Sequence, residues 1–100
     1  MLTSKQRAQL RSMASTADTI VIIGKGGITE NVIAQVKDAL RARELVKGRV
    51  LENSLLTAKE AVAALAEECA AEPVQYIGSK FVLYKENREI DKDKRIKLVK

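Results

Sequence analysis

The sequence predicts an α+β domain, a two-layer fold in which helices pack on a four-stranded mixed sheet in the order α-β-α-β-α-β-β. Three observations carry that prediction. Apolar residues at helical spacing alternate with short β-branched runs along most of the chain. Helix-start signals recur at Thr3, Thr29 and Thr57. A Gly78-Ser79 pair between two strand-like runs is a two-residue hairpin turn, so the final strand is antiparallel to the one before it.

The first helix is expected from Thr3 to about Ser15. Thr3 and Gln6 have the spacing of a capping box, and Leu10, Met13, Ala14 and Ala17 mark the buried stripe. The first strand is Thr19 to Ile23. Its four consecutive aliphatics suggest a central parallel strand covered on both faces. The second helix begins after Thr29, runs to Arg43 or Glu44, and turns Val32, Ile33, Val36, Ala39 and Leu40 to one side. The second strand covers about Leu45 to Leu51, with Val46, Gly48 and Val50 on one face and Lys47, Arg49 and Leu51 on the other. A glycine there leaves room for a close neighbour.

The third helix, Thr57 to about Ala71, is alanine-rich and opens with a second capping box, Thr57 and Glu60. Pro73 prevents its continuation. Strands follow at Val74 to Ile77 and Lys80 to Lys85, the latter with Phe81 and Leu83 on one face and Val82 and Tyr84 on the other. Residues 1–86 form the expected domain and 87–100 a charged tail. Its alternating charges, Asp91-Lys92-Asp93-Lys94-Arg95, suggest a solvated segment, and Ile96, Leu98 and Val99 have the pattern of a short edge strand. Strand-helix-strand units place their strands parallel, which makes the sheet mixed.

A chain of 100 residues suits one domain, and 46% hydrophobic with 31% charged residues is a globular composition. The apolar runs are too short for a membrane span, and residues 1–7 lack a signal core, so a cytoplasmic protein with no membrane partner is expected. Cys69 is the single cysteine and falls at an apolar helical position, where a buried structural thiol is expected. The net charge is +5. Residues 1–50 hold nine Lys/Arg against four Asp/Glu, whereas residues 51–100 hold nine of each, so the excess lies wholly in the first half. Such asymmetry points to a polyanionic partner.

The composition also excludes chemistry. With no histidine there is no His-based acid/base, triad or metal site, and one cysteine cannot build a thiolate zinc cluster. The acidic pairs Glu67-Glu68 and Asp91/Asp93 suit solvated surfaces. No catalytic residue, metal, cofactor or small-molecule substrate is therefore expected.

The stretch that stands out is Gly24-Lys25-Gly26-Gly27, between the first strand and the second helix. It is not a P-loop, because its lysine lies between glycines and no Ser/Thr follows it directly. It is not the dinucleotide fingerprint, because Thr29 occupies the place of the third small residue. Two readings remain: a purely structural turn, or a Gly-x-x-Gly clamp on a nucleic-acid backbone. In the second, glycine admits close approach, the helix start offers free N–H groups with a partial positive charge, and Lys25 adds a full one. Lys5, Arg7 and Arg11 in the first helix fit a solvated face as well as a binding role.

The order of motifs resembles a known family. Leu2-Thr3-Ser4-Lys5-Gln6-Arg7, Gly24 through Val32, Ala42 through Lys47, Glu60-Ala61-Val62 with Leu65-Ala66, and Val74 through Tyr84 are similar to the bacterial single-domain CRM proteins, the YhbY-like group. The similarity covers about residues 2–86 and departs at Gly48, where a larger residue is commoner, and at Ser79, where arginine is commoner. The resemblance implies a fold like the C-terminal domain of translation initiation factor three. It implies RNA binding through Gly24, Lys25, Gly26 and Gly27, and association with ribosomal RNA or precursors of the large ribosomal subunit. Lys5, Arg7, Arg11, Lys37, Arg41, Lys47, Arg49 and Lys80 are candidates for the surrounding electrostatic surface. With Tyr76, Phe81 and Tyr84 as the aromatics, all expected to be partly core, base stacking should be minor. The alternative from another class is a protein-interaction module that docks on a ribosomal or assembly protein.

Overall fold

The computed structural model describes residues 2–90 and 95–99. Its elements follow the expected order: α1 Ser4–Ala14, β1 Thr19–Ile23, α2 Glu30–Arg43, β2 Leu45–Val50, α3 Ala58–Cys69, β3 Glu72–Ile77 and β4 Lys80–Tyr84. Each helix starts at the expected threonine. The Thr3 hydroxyl accepts from Gln6 N–H at 3.1 Å, while Gln6 Oε1 accepts from Thr3 N–H at 3.0 Å. Thr57 and Glu60 repeat this reciprocal pair, and Thr29 accepts from Val32 N–H at 3.2 Å. Each cap satisfies donors the helix cannot, a contribution of about 1 kcal/mol.

The four strands lie in the order β1-β2-β4-β3. Strand β1 runs parallel to β2, and the other two pairings are antiparallel. The central position expected for β1 is therefore corrected: it is an edge strand. Val21 and Ile23 are buried, Ile20 is partly covered at a register irregularity, and Ile22 is 51% exposed on the other face. The strand covered on both sides is β4, in which Phe81 to Tyr84 are all buried. Four aliphatics in a row gave β1 the look of an inner strand. Pairing, which is non-local, makes β2 and β4 the inner ones.

The space beside Gly48 is filled by Phe81, its register partner on β4. A methyl group built on Gly48 would lie 2.3 Å from the ring. On this face of the sheet, Val21, Ile23, Val46, Val50, Phe81 and Leu83 pack against α2 and α3. These are the two expected layers. Helix α1 lies on the opposite face, where Leu10 and Ala14 pack with Val74, Val82 and Tyr84. It adds a partial third layer, because β4 is apolar on both faces. Met13 and Ala17, expected in the α1 stripe, are exposed.

Residues 95–99 are partly packed rather than wholly solvated, with Lys97 and Val99 still exposed. Ile96 and Leu98 sit against the α1-side cluster. Gln6 and Gln9 donate to the carbonyls of Val99 and Lys97, at 2.9 and 2.7 Å. The edge strand expected over Ile96, Leu98 and Val99 is absent, since side chains of α1 take up this backbone. The run Asp91-Lys92-Asp93-Lys94 lies outside the described residues. Glu44, at the end of α2, anchors the segment. Fully buried and at φ 61°, it accepts from Asn87 N–H and Ile96 N–H, both at 2.7 Å. Arg95 Nε lies 3.7 Å from the same carboxylate, and Arg95 Nη2 pairs with Glu86 at 2.7 Å.

Candidate nucleic-acid interface

The parallel β1-α2-β2 unit delivers the glycine turn to one end of the sheet. Gly27 N–H donates to the Gly24 carbonyl at 3.0 Å and closes a four-residue turn. Lys25 and Gly26 stand exposed at its tip, while Ile28 behind it is partly buried in the core. Gly27 has φ +70°, a conformation that favours glycine. The other two glycines have no such requirement. A methyl on Gly24 would meet Leu51 at 3.7 Å and one on Gly26 would meet Thr29 at 3.7 Å, both ordinary contacts. The protein's own packing does not demand their bareness, which leaves it available to an incoming ligand.

Chain direction decides what shares this end. Strand β2 is parallel to β1, so the loop after it and the start of α3 lie beside the turn; Leu51 and Leu56 are the side chains nearest Gly24 and Gly27. Strand β4 starts here, and Arg49 is the register partner of both Ile22 and Lys80. Arg49 and Lys80 are exposed and form a basic pair at this end of the sheet. Lys59, absent from the sequence expectations, lies exposed in the first turn of α3. Its signal was the Thr57–Glu60 capping box, which fixes where α3 begins. Leu55, 97% exposed, projects from the same loop. Glu30 and Glu52 also lie at this end, so the field is basic with acidic interruptions.

The remaining candidates are dispersed. Lys47 Nζ donates to the Ala14 carbonyl at 3.0 Å, so this half-buried lysine caps α1. Arg7 donates to the Pro73 carbonyl, and with Arg11 it faces the β3 edge. Lys5 is in the first turn of α1, whereas the helix end nearer Lys80 is Ala14. Lys37 and Arg41 line a depression toward the far end of α2, with Lys85, Glu86 and Glu89, and Arg41 pairs with Asp38 at 3.5 Å. The structure thus places Lys25, Arg49 and Lys80 at the same end of the sheet and leaves Lys5, Lys37 and Arg41 elsewhere.

Nothing at the turn has the makings of a nucleophile or metal centre. Cys69 is buried in the helical layer, and burial pushes its thiol up, with Lys37 and Lys85 pulling partly the other way. Among the described residues no group of three or more Cys, Asp or Glu side chains is placed to hold a metal ion. No helix among them is long and apolar enough to cross a membrane.

Comparison with known proteins agrees with this architecture. The profile of the CRS1/YhbY (CRM) domain matches residues 2–85. A Bacillus subtilis protein named "Probable RNA-binding protein YqeI" is 44% identical over 89 residues, covering 89% of this chain and 93% of that protein. A Haemophilus influenzae protein named "RNA-binding protein" is 34% identical over 88 residues, 88% of this chain and 89% of its own. The solution structure of the hypothetical protein SAV1595 from Staphylococcus aureus superposes with a TM-score of 0.71 at 44% identity, covering 99% of this chain and all of that one.

Proposed function

The chain belongs to the CRS1/YhbY (CRM) domain family, and from that premise we propose that it is a non-catalytic RNA-binding protein of the cytoplasm. Its target is ribosomal RNA or precursors of the large ribosomal subunit during assembly. Two lines support the RNA partner: relatives named as RNA-binding proteins, and a basic excess confined to the half that carries the turn.

The observation that carries the role of the turn is the exposed Lys25-Gly26 tip with two glycines that internal packing does not require. Main-chain amides there can approach a phosphate, and Lys25 supplies the countercharge. Arg49 and Lys80 extend the contact along the sheet end. Binding of this kind depends on backbone and shape, and each neutralised phosphate steepens its dependence on salt.

The test is a gel-shift titration with ribosomal RNA fragments across a salt series. Lys25→Ala should weaken binding about fivefold, the ~1 kcal/mol upper range for an exposed charge contact. It should also reduce the salt slope by about 1. The melting temperature should stay put, because Lys25 is exposed. Unchanged RNA affinity with a lowered melting temperature would make the turn structural. Retention of a ribosomal protein partner after nuclease treatment would favour protein docking instead.

A further inference from the structure

A groove separate from the glycine turn follows the β3 edge of the sheet. It has a volume of about 490 Å³ and is walled by Arg7 and Arg11 of α1 on one side and Lys59, Val62 and Ala63 of α3 on the other. Pro73 to Ile77 form its floor. Three cations line it and no carboxylate does. Tyr76 stands in it, 49% exposed, although its register partner Phe81 is wholly buried. Of the three aromatics expected to be partly core, Tyr76 is the most exposed, whereas Phe81 and Tyr84 are buried.

We propose that this groove seats a single-stranded RNA segment, with one base stacked on the Tyr76 ring and the flanking phosphates on Arg11 and Lys59. The proposal rests on the RNA reading above and adds a second contact of different chemistry. A half-exposed ring beside cations, in a groove whose lining holds no carboxylate, is what a base and its phosphates complement. Arg7 is held by its bond to the Pro73 carbonyl, so it offers a fixed cation, while Arg11 and Lys59 are exposed. Lys59 lies in the first turn of α3, three residues beyond Leu56, whose side chain is the one nearest Gly27, so the start of α3 links the groove at the β3 edge to the glycine turn across the end of the sheet. A peptide adding to the sheet suits this edge poorly. Pro73 lacks an N–H, and the register shifts between Pro73 and Gln75.

The test compares a synthetic hairpin RNA with the same hairpin carrying a single-stranded uridine extension, both titrated against the full chain. The extension should tighten binding by about five- to 150-fold, the range of one base–aromatic stack. Tyr76→Ala should abolish that gain and Tyr76→Phe should keep it, whereas Lys25→Ala should weaken both RNAs. The chain has no tryptophan and Tyr84 is buried, so quenching of tyrosine fluorescence by the extended RNA alone reports on Tyr76. A gain that survives Tyr76→Ala but disappears in an Arg11→Ala, Lys59→Ala double variant assigns the segment to charge and overturns the stack. Equal binding of the two RNAs by the wild type overturns the groove proposal but spares the RNA reading. Binding of neither overturns both.

Discussion

At Gly48 one absent methyl group decides how two strands can pack. The Phe81 ring occupies the volume where a side chain would project, with ring carbons 2.3, 2.7 and 2.8 Å from an added Cβ. A fully buried ring inside a sandwich of helices and sheet has little room to retreat. Gly48→Ala should therefore destabilise by about 1–3 kcal/mol, the usual cost of overpacking. At ~4–8 °C per kcal/mol for a domain of this size, the fall in melting temperature is easily read by circular dichroism. Adding Phe81→Leu should recover part of the loss, because it vacates the space the new methyl needs. The sequence shows that Gly48 leaves a gap, but not who fills it. Phe81 becomes a neighbour only because β4 inserts between β2 and β3, a pairing that no local pattern encodes. Glu44 was similarly opaque: a helix-end glutamate normally faces water, and its buried role depends on backbone donors at residues 87 and 96.

The helices were the most legible elements, since periodic apolar residues and threonine caps are local signals. Strand identities were legible too, whereas strand positions were not. The glycine turn could be located from its flanks alone, a β-branched run before and a capped helix after. Its basic neighbours could not, because Arg49 and Lys80 join it through the sheet register, while Lys47 is diverted to cap α1. At this scale the C-terminal segment carries the clearest prediction. Glu44→Ala removes the acceptor of two backbone N–H groups and the charge beside Arg95. It should cost about 1–3 kcal/mol, the scale of leaving buried hydrogen-bonding groups without a partner, since Arg95 keeps Glu86. Urea titration would measure the loss. Hydrogen exchange should show residues 95–99 opening ahead of the sheet; equal protection throughout would mean that Gln6, Gln9 and the apolar contacts suffice.

For the molecule as a whole, packing also sets a limit in alkali. Burial pushes the Cys69 thiol above its ordinary 9.0, and burial with the Glu44 and Glu86 charges pushes the Tyr84 phenol above its ordinary 10.0. Both folded values exceed the unfolded ones, so the folded state prefers the protonated forms. Their contribution is complete below the unfolded values and declines as pH rises through the folded ones. Urea midpoints should hold from neutral pH to the ordinary thiol value and then fall, and Cys69→Ala should make the fall shallower. A flat alkaline limb would contradict the burial of both groups.

The glycine turn, proposed above as a backbone contact for RNA, hangs from one outer rail of the sheet, since β1 is hydrogen-bonded to one neighbour only. Whatever closes on Gly24–Gly27 would therefore also splint one of the two edge strands of the sheet. Capture of a ligand there and steadying of that flank would then be one event.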